Sequence, residues 1–301
     1  MASWPQGFPL CRARQTHIRL FTEPRFIPCL TIAARQAALP SCGLLFFFRL
    51  FEFSTCIAVS IGTYSFCRLI PENRKQETGL TMLLKEATAI AGSIGYPAKM
   101  PGTSYGISAQ SCKVGSKLAQ VEGSTCAKCY ALKGNYIYPS VKTAHAKRES
   151  GLVNPLWAKA MVGMLRAAHK PKKDGSQLPP YHRWHDSGDL QSVDHLEQIC
   201  IVAAETPELF HWLPTREIGI LMAFIRAGGV VPDNLTIRVS ATMVDGNATK
   251  AWPTTSTVHH AKAAQGHDCP AIHREGADAG KCADCRACWS RDVSNVSYHQ
   301  H

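Results

Sequence analysis

The stretch Tyr181–Thr242, YHRWHDSGDLQSVDHLEQICIVAAETPELFHWLPTREIGILMAFIRAGGVVPDNLTIRVSAT, decides the fold of this chain. Within it, "YHRWHD", "LFHWLPT" and "NLTIRVSAT" read as strands. "SVDHLEQICIVAAET" and "EIGILMAFIRAGG" carry apolar residues at helical spacing. The connections are short, so the pattern is β-α-β-α-β, which predicts a parallel sheet with right-handed crossovers. Gly228-Gly229 supplies a stop for the second helix.

Units of this kind build an open doubly wound sheet or a barrel. No G-x-G-x-x-G or P-loop run is present to favour a nucleotide-binding open sheet. The expected fold is therefore α/β, a partial or irregular TIM-like barrel of β-α units. In both architectures ligands sit at the carboxyl ends of the strands. That rule singles out His185, Asp186, Ser187, Gly188 and Asp189 in "HDSGD", Thr215, Arg216 and Glu217 in "PTRE", and Ser240 and Thr242 in "SAT". His185 and Asp186 are candidates for acid and base or for hydrogen bonds to substrate. The structural alternative has Asp186 or Ser187 capping the next helix. Arg216 is placed to clamp a phosphate or carboxylate, or to pair with Glu217 or Asp189.

Outward from this stretch, "PSVKTAHAKRES" and "PLWAKAMVGMLRAAHK" read as two further helices, the second with Leu156, Trp157, Ala160, Met161, Met164 and Leu165 as its apolar positions. "KPKKDGSQLPP" is a basic, turn-rich connector, and residues 97–112 form a Pro/Gly/Ser-rich loop. Residues 82–301 read as a single domain, with a first cysteine loop at 82–139, a β-α core at 140–258 and a C-terminal cysteine segment at 259–301. Residues 1–81 show no sustained periodicity. Of three readings for them, a poor membrane anchor, a disordered extension, and translated sequence upstream of a true start at Met82, the third is the one expected, since orderly patterning first appears at Met82. The apolar run there is broken by Arg49 and Glu52 and falls short of the ~20 residues that span a bilayer. No membrane association is expected, and the cytoplasm is the expected location.

The chain has 301 residues, 45% of them hydrophobic, and a net charge of +11. Residues 1–81 hold nine Lys/Arg against four Asp/Glu, and residues 82–301 hold 24 against 18. Nucleic acid is thus permitted as a partner by charge, without being demanded.

Thirteen cysteines are present, five of them scattered through the first 67 residues without ligand-like spacing. Cys200 sits in an apolar helical pattern and reads as a buried thiol. The other seven fall into two groups, Cys112, Cys126 and Cys129, and then Cys269, Cys282, Cys285 and Cys288. The second group reads Cys-x12-Cys-x2-Cys-x2-Cys with a proline after the first. Such crowding, with a distant Cys-Pro, is the spacing of ferredoxin-type clusters. Zinc more often takes two separated Cys-x2-Cys pairs. Three cysteines in the first group suffice to hold a four-iron cluster with one iron open. The alternative there is zinc completed by His145 or by a cysteine from the C-terminal group. Metal-binding loops are therefore expected at both ends of the domain. Tyr130, Tyr136 and Tyr138, near Lys128 and Lys133, are placed either to stack on bases or to pack on the sheet, the reading adopted. His259, His260 and the terminal HQH carry little weight.

Several motifs together, "KMPGTSYGISAQSCKVGSKLAQVEGSTCAKCYALKGNY", "WHDSGDLQS", "FHWLPTRE", "TIRVSATM" and "KCADCRACWSRDVSNVSYHQH", resemble the phage and prophage gene-product-88-like family over about Met82 to His301. The resemblance implies a phage-derived protein and brings no activity with it. More distantly, "CAKCYA" followed by strand–helix units is similar to radical S-adenosylmethionine barrels. That likeness implies an iron–sulfur cluster at Cys112, Cys126 and Cys129, and S-adenosylmethionine near Ser187, Gly188, Ser240 and Thr242. His185, Asp186, Asp189 and Arg216 would then address an unknown substrate. The chain departs from that pattern, with 13 residues between Cys112 and Cys126 where the common spacing has three. The expectation is an iron–sulfur protein with one or two clusters. The alternatives are a zinc-containing nucleic-acid-binding protein and a structural protein whose C-terminus is fastened by metal. The spacing leaves the oligomeric state open.

Overall fold

The structure is a computed structural model that describes residues 82–300; the readings of residues 1–81 lie outside the described residues. Seven strands form one sheet in the order β1-β2-β3-β4-β5-β7-β6. They are β1 (Thr103–Tyr105), β2 (Tyr181–Trp184), β3 (Phe210–Thr215), β4 (Leu235–Val244), β5 (Thr255–His259), β6 (His267–Asp268) and β7 (Asn295–His299). Every pairing is parallel. The helices are α1 (Leu84–Ala91), α2 (Lys113–Leu118), α3 (Pro139–Gly151), α4 (Trp157–His169), α5 (Val193–Glu205) and α6 (Ile218–Arg226). The decisive stretch supplies β2, α5, β3, α6 and β4.

Strands β1 to β5 lie side by side in chain order, so right-handed crossovers keep the covering helices on one face. Helices α1, α4, α5 and α6 make that layer, each touching the next. This one-sided winding is that of a barrel, but the sheet stays open and no barrel closes. The physical reason lies after β4. The β4–β5 connection holds no helix, and the segment between β6 and β7 folds back over the face that a barrel would enclose, putting Trp289 against Trp212 at 5.2 Å.

The helix-covered face is the main core. Trp157 of α4 lies 5.7 Å from the Tyr105 ring and 5.9 Å from Trp184. The Tyr105 hydroxyl donates to Ala91 O and accepts from Trp157 Nε1. Ala160, Met161, Met164 and Leu165 are buried as the periodicity requires, whereas Leu156 is half exposed because it is the N-cap of α4, ahead of the first full turn. Ser192 caps α5, its hydroxyl accepting from His195 N at 3.0 Å, so neither Asp186 nor Ser187 does so. Cys200 is buried as expected, and burial pushes its thiol up to about 12.

The same face buries a row of histidines. His182 and His169 both hydrogen-bond Thr103 Oγ1, at 2.8 and 3.1 Å, and His211 bonds Thr206 Oγ1 at 2.9 Å. His182 meets the Trp184 indole edge-on at 4.5 Å. Burial holds His182 and His185 well below the ordinary imidazole range, His195 at about 4 and His211 at about 3.

Strands β1, β5 and β7 escape a reading by hydrophobic pattern, because most of their buried positions are polar: Thr103, Ser104, Thr255, Ser256, Thr257, Asn295 and Ser297. These groups satisfy one another, as in Thr257 Oγ1 to Ser297 Oγ at 3.1 Å and Asn295 Nδ2 to Thr257 Oγ1 at 2.9 Å. His259 is likewise buried on β5, with Nδ1 2.8 Å from Ser297 Oγ. Among the described residues, no helix is long and apolar enough to cross a membrane.

Candidate functional site

The first cysteine group lies over the carboxyl ends of β2, β3 and β4. Three contacts hold its loop there. Glu217, just past β3, is buried and accepts from Lys113 N and Val114 N, at 3.2 and 2.7 Å, directly after Cys112. The extended end of β4 pairs with the loop, Thr125 N donating to Thr242 O and Val244 N to Gly123 O, both at 2.9 Å. Arg216 donates through Nε and Nη2 to Thr125 Oγ1, at 3.0 and 2.8 Å, beside Cys126.

Cys112, Cys126 and Cys129 are electrostatic neighbours of one another. Burial, then Asp189 and the other two thiols, push Cys112 up to about 12, while the Arg216 guanidinium pulls the other way. Cys126 is raised by burial and eased by the same arginine. Gly115 keeps space between two of the thiols: a Cβ there would stand 3.5 Å from Cys112 Sγ and 3.7 Å from Cys126 Sγ.

The strand-end residues divide by what they touch. Asp189 is buried and fully engaged, accepting from Thr215 Oγ1 at 2.6 Å and from Arg216 N and Leu190 N at 2.8 Å each. Burial raises its carboxyl to about 6 despite those bonds. Asp186 accepts from Ser104 Oγ, and its carbonyl accepts from the hydroxyl of Tyr130 at 2.6 Å, one residue after Cys129. His185 turns away from the cysteines. Its φ of 52° is a left-handed conformation rare for a non-glycine residue. Its buried ring packs edge-on against His195 at 5.3 Å, and both its ring nitrogens lack a partner among the described residues.

The four residues expected near a cofactor are taken up within the chain. Ser187 Oγ donates to Ile107 O and sits 3.3 Å from His145 Nε2. At Gly188, φ is 76° and a Cβ would press 2.4 Å from Ile107 Cγ1. Ser240 bonds Ser256 Oγ at 3.0 Å, and Thr242 offers its carbonyl to the cysteine loop. His145 packs on Tyr136 and Ser187 and does not join the cysteines.

The second group is separate. Cys269, Cys282, Cys285 and Cys288 all line one small cavity, together with His267 of β6 and Trp289. His267 Nε2 stands 3.4 Å from Cys285 Sγ, and Cys288 Sγ is 3.1 Å from the Tyr298 hydroxyl. Burial raises Cys269 and Cys282, and takes Cys288 to about 12. All seven cysteines of the two groups are free thiols. Among the described residues, no three His, Cys, Asp or Glu side chains are placed to hold one metal ion.

Beneath the second group lies Arg238 of β4, 0% exposed. Its guanidinium donates to five carbonyls, those of Thr255, Ala287, Cys288, Ser290 and Val293. Trp289 adds two anchors: its Nε1 donates to His182 O and its carbonyl accepts from Thr236 Oγ1. Between the two groups runs Arg183, stacked on Trp212 at 4.6 Å and donating to the Tyr130 hydroxyl at 3.2 Å. Arg183, Arg238, His267 and Tyr298 had no signal as single residues. Arg238 was detectable only as a charge inside the apolar run "LTIRVSA".

No curated protein and no solved structure matches the chain. The family model described as Gene product 88 matches residues 66–291, beginning upstream of Met82 and spanning both cysteine groups. Nothing in that match supports the likeness to radical S-adenosylmethionine barrels. On a match over three quarters of its length, the chain belongs to the Gene product 88 family.

Proposed function

We propose that this is a metal–thiolate protein with two centres, and that iron–sulfur is the chemistry its cysteines suit. The observation that carries the proposal is Arg238. A guanidinium buried without a carboxylate is costly unless an anion offsets it. Among the described residues no carboxylate pairs with Arg238, and its ionisable neighbours are the Cys288 thiol and the Tyr298 hydroxyl, both held protonated by burial. Four thiolates around a metal carry net negative charge, and that charge would complete the site. The crowded Cys-x2-Cys-x2-Cys spacing suits a ferredoxin-type cluster.

At the strand ends, the space left by Gly115 and the charge of Arg216 support a second centre on Cys112, Cys126 and Cys129. Three thiolates there would leave one position for an external ligand, which the group would bind when loaded. Arg216 and Glu217 fix the loop, and Asp186 and Tyr130 flank it. One contact favours zinc at the C-terminal centre instead. The 3.4 Å between Cys285 Sγ and His267 Nε2 matches an edge of about 3.5 Å expected from zinc–sulfur and zinc–nitrogen bond lengths.

The full chain, purified without oxygen, should be brown, with acid-labile sulfide and iron in excess of zinc. A colourless protein with stoichiometric zinc and no sulfide would overturn the iron–sulfur reading and leave the zinc one.

A further inference from the structure

We infer that the cap over the strand ends is a docking surface for single-stranded nucleic acid. The inference is independent of which metal the cysteines hold. The cap runs from Cys112 to Gly151, through the cysteine loop, two 3-10 turns and α3. It carries seven Lys/Arg against two Asp/Glu, and so five of the six net positive charges of residues 82–301. Lys113, Lys117, Lys128, Lys133, Lys142 and Lys147 are all exposed. No described carboxylate forms an ion pair with any of them. On α3, Lys142 and Lys147 fall on the outward stripe with Pro139, Thr143, Ala146 and Ser150.

Charge alone would fit any polyanion. The cap also exposes rings, against the expectation that they pack on the sheet. Tyr130 is 50% and Tyr138 55% exposed, with Leu132 and Ile137 between them at 43% and 51%. Tyr136 is the half-buried member, holding Tyr130 at 5.7 Å. Apolar and aromatic groups at this density beside lysines are unfavourable in water unless covered. Unpaired bases offer both the flat apolar faces and the phosphates that such a surface lacks. A duplex hides its base faces and meets only the lysines. The occupant would lie beside Cys112, Cys126 and Cys129, so single-stranded nucleic acid is also the substrate class presented to that site.

A second basic cluster makes an internal control. Lys170, Lys172 and Lys173 lie in the connector that enters β2 at its amino end, opposite the cap, where the exposed ring of Phe210 is already stacked on Tyr181 at 5.5 Å. Fluorescence anisotropy of a labelled mixed-sequence 20-nucleotide single strand, its blunt duplex, and heparin as competitor, tests the assignment on the full chain. The single strand should bind at least tenfold more tightly than the duplex, with a log–log salt slope of about −3.5 to −4.2 for five or six contacts. Tyr138→Ala should weaken single-strand binding roughly tenfold, and Tyr138→Phe should restore it. Lys133→Gln with Lys142→Gln should flatten the salt slope by about 1.4, while Lys172→Gln with Lys173→Gln should change neither. Equal binding of duplex and single strand, no loss in Tyr138→Ala, or an equal loss in the connector variant would each overturn the proposal. Iron, zinc and sulfide measured on the same samples separate its fate from that of the metal reading.

Discussion

The two faces of the sheet are built by different physics. The helix-covered face is closed by apolar periodicity: Trp157, Met161 and Leu165 of α4 and Leu196, Ile199 and Ala203 of α5 press on Tyr105, Trp184 and Leu213. The other face is closed by a segment almost without regular structure, fastened through Arg238, Trp289 and Tyr298. Burial of apolar area stabilises the first face at roughly 25 cal/mol per Å2. The second depends on hydrogen bonds to a buried charge, each worth about 1.5–3 kcal/mol when made and costly when lost. One face should therefore yield to conditions that act on the whole core, and the other to single polar substitutions.

Acid is the largest lever, and it acts on the helix-covered face. His182, His185, His195 and His211 are buried there as neutral rings, all below their ordinary value. A histidine with a lowered folded-state pKa gives stability that is complete above about pH 6.5 and is lost as pH falls toward the folded value. For His195 and His211 the loss runs on down to about 4 and about 3. Each such ring costs about 1.4 kcal/mol per pH unit in that window. Asp189 works in the opposite direction, because its carboxyl, raised to about 6, takes up a proton in the folded state first and offsets one ring's share. Unfolding free energies from urea titrations at pH 7.5 to 5.5 should fall steeply, by several kcal/mol in total. A flat profile would mean that these rings do not carry the face.

The next effect should be confined to the other face. Arg238→Met keeps the volume and strands five carbonyls, so the C-terminal segment should loosen by about 3 kcal/mol. Hydrogen exchange followed by mass spectrometry should report faster exchange across Ala287–Val296, with α4 and α5 unchanged. Faster exchange spread evenly over both faces would show that the distinction between them is false.

The same division explains what was legible beforehand. Strands β2, β3 and β4 and helices α4 to α6 follow from hydrophobic period, since apolar packing is what forms them, whereas α3 buries His145, Arg148 and Gly151 and has no apolar stripe. Strands β1, β5 and β7 do not, since Thr103, Ser256, Thr257 and Ser297 are buried polar groups that satisfy one another across the sheet, and no local pattern encodes such partners. The cysteine groups were visible from spacing, and so was the gathering of "HDSGD", "PTRE" and "SAT" at strand ends. Which of their members face the cysteines was not. His185 points into the core, Asp189 is spent on backbone and Thr215, and the loop is instead held by Glu217 and Arg216. Those roles depend on rotamers and on chain segments more than 90 residues apart, which spacing along one segment does not specify.

The smallest effect tests whether the strand-end group belongs to either face. Glu217 ties the turn after Cys112 to the end of β3 by two backbone hydrogen bonds. Glu217→Ala leaves those amides near solvent at the edge of the cap, so global stability should fall by only about 1 kcal/mol. The local consequence should be larger than the global one. Cys112 is held half-buried by that turn, and releasing it should speed alkylation of the Cys112 thiol severalfold in metal-free protein. Cys288, buried and bonded to Tyr298 on the other side of the sheet, should react at its original slow rate. Glu217→Gln keeps one acceptor oxygen and should stay close to the parent protein. If both thiols accelerate together, the two cysteine groups open as one unit, and the separation drawn between strand-end cap and sheet face collapses. If only Cys112 responds, the cap is a third, independently tethered region, held by the strand ends and not by either core.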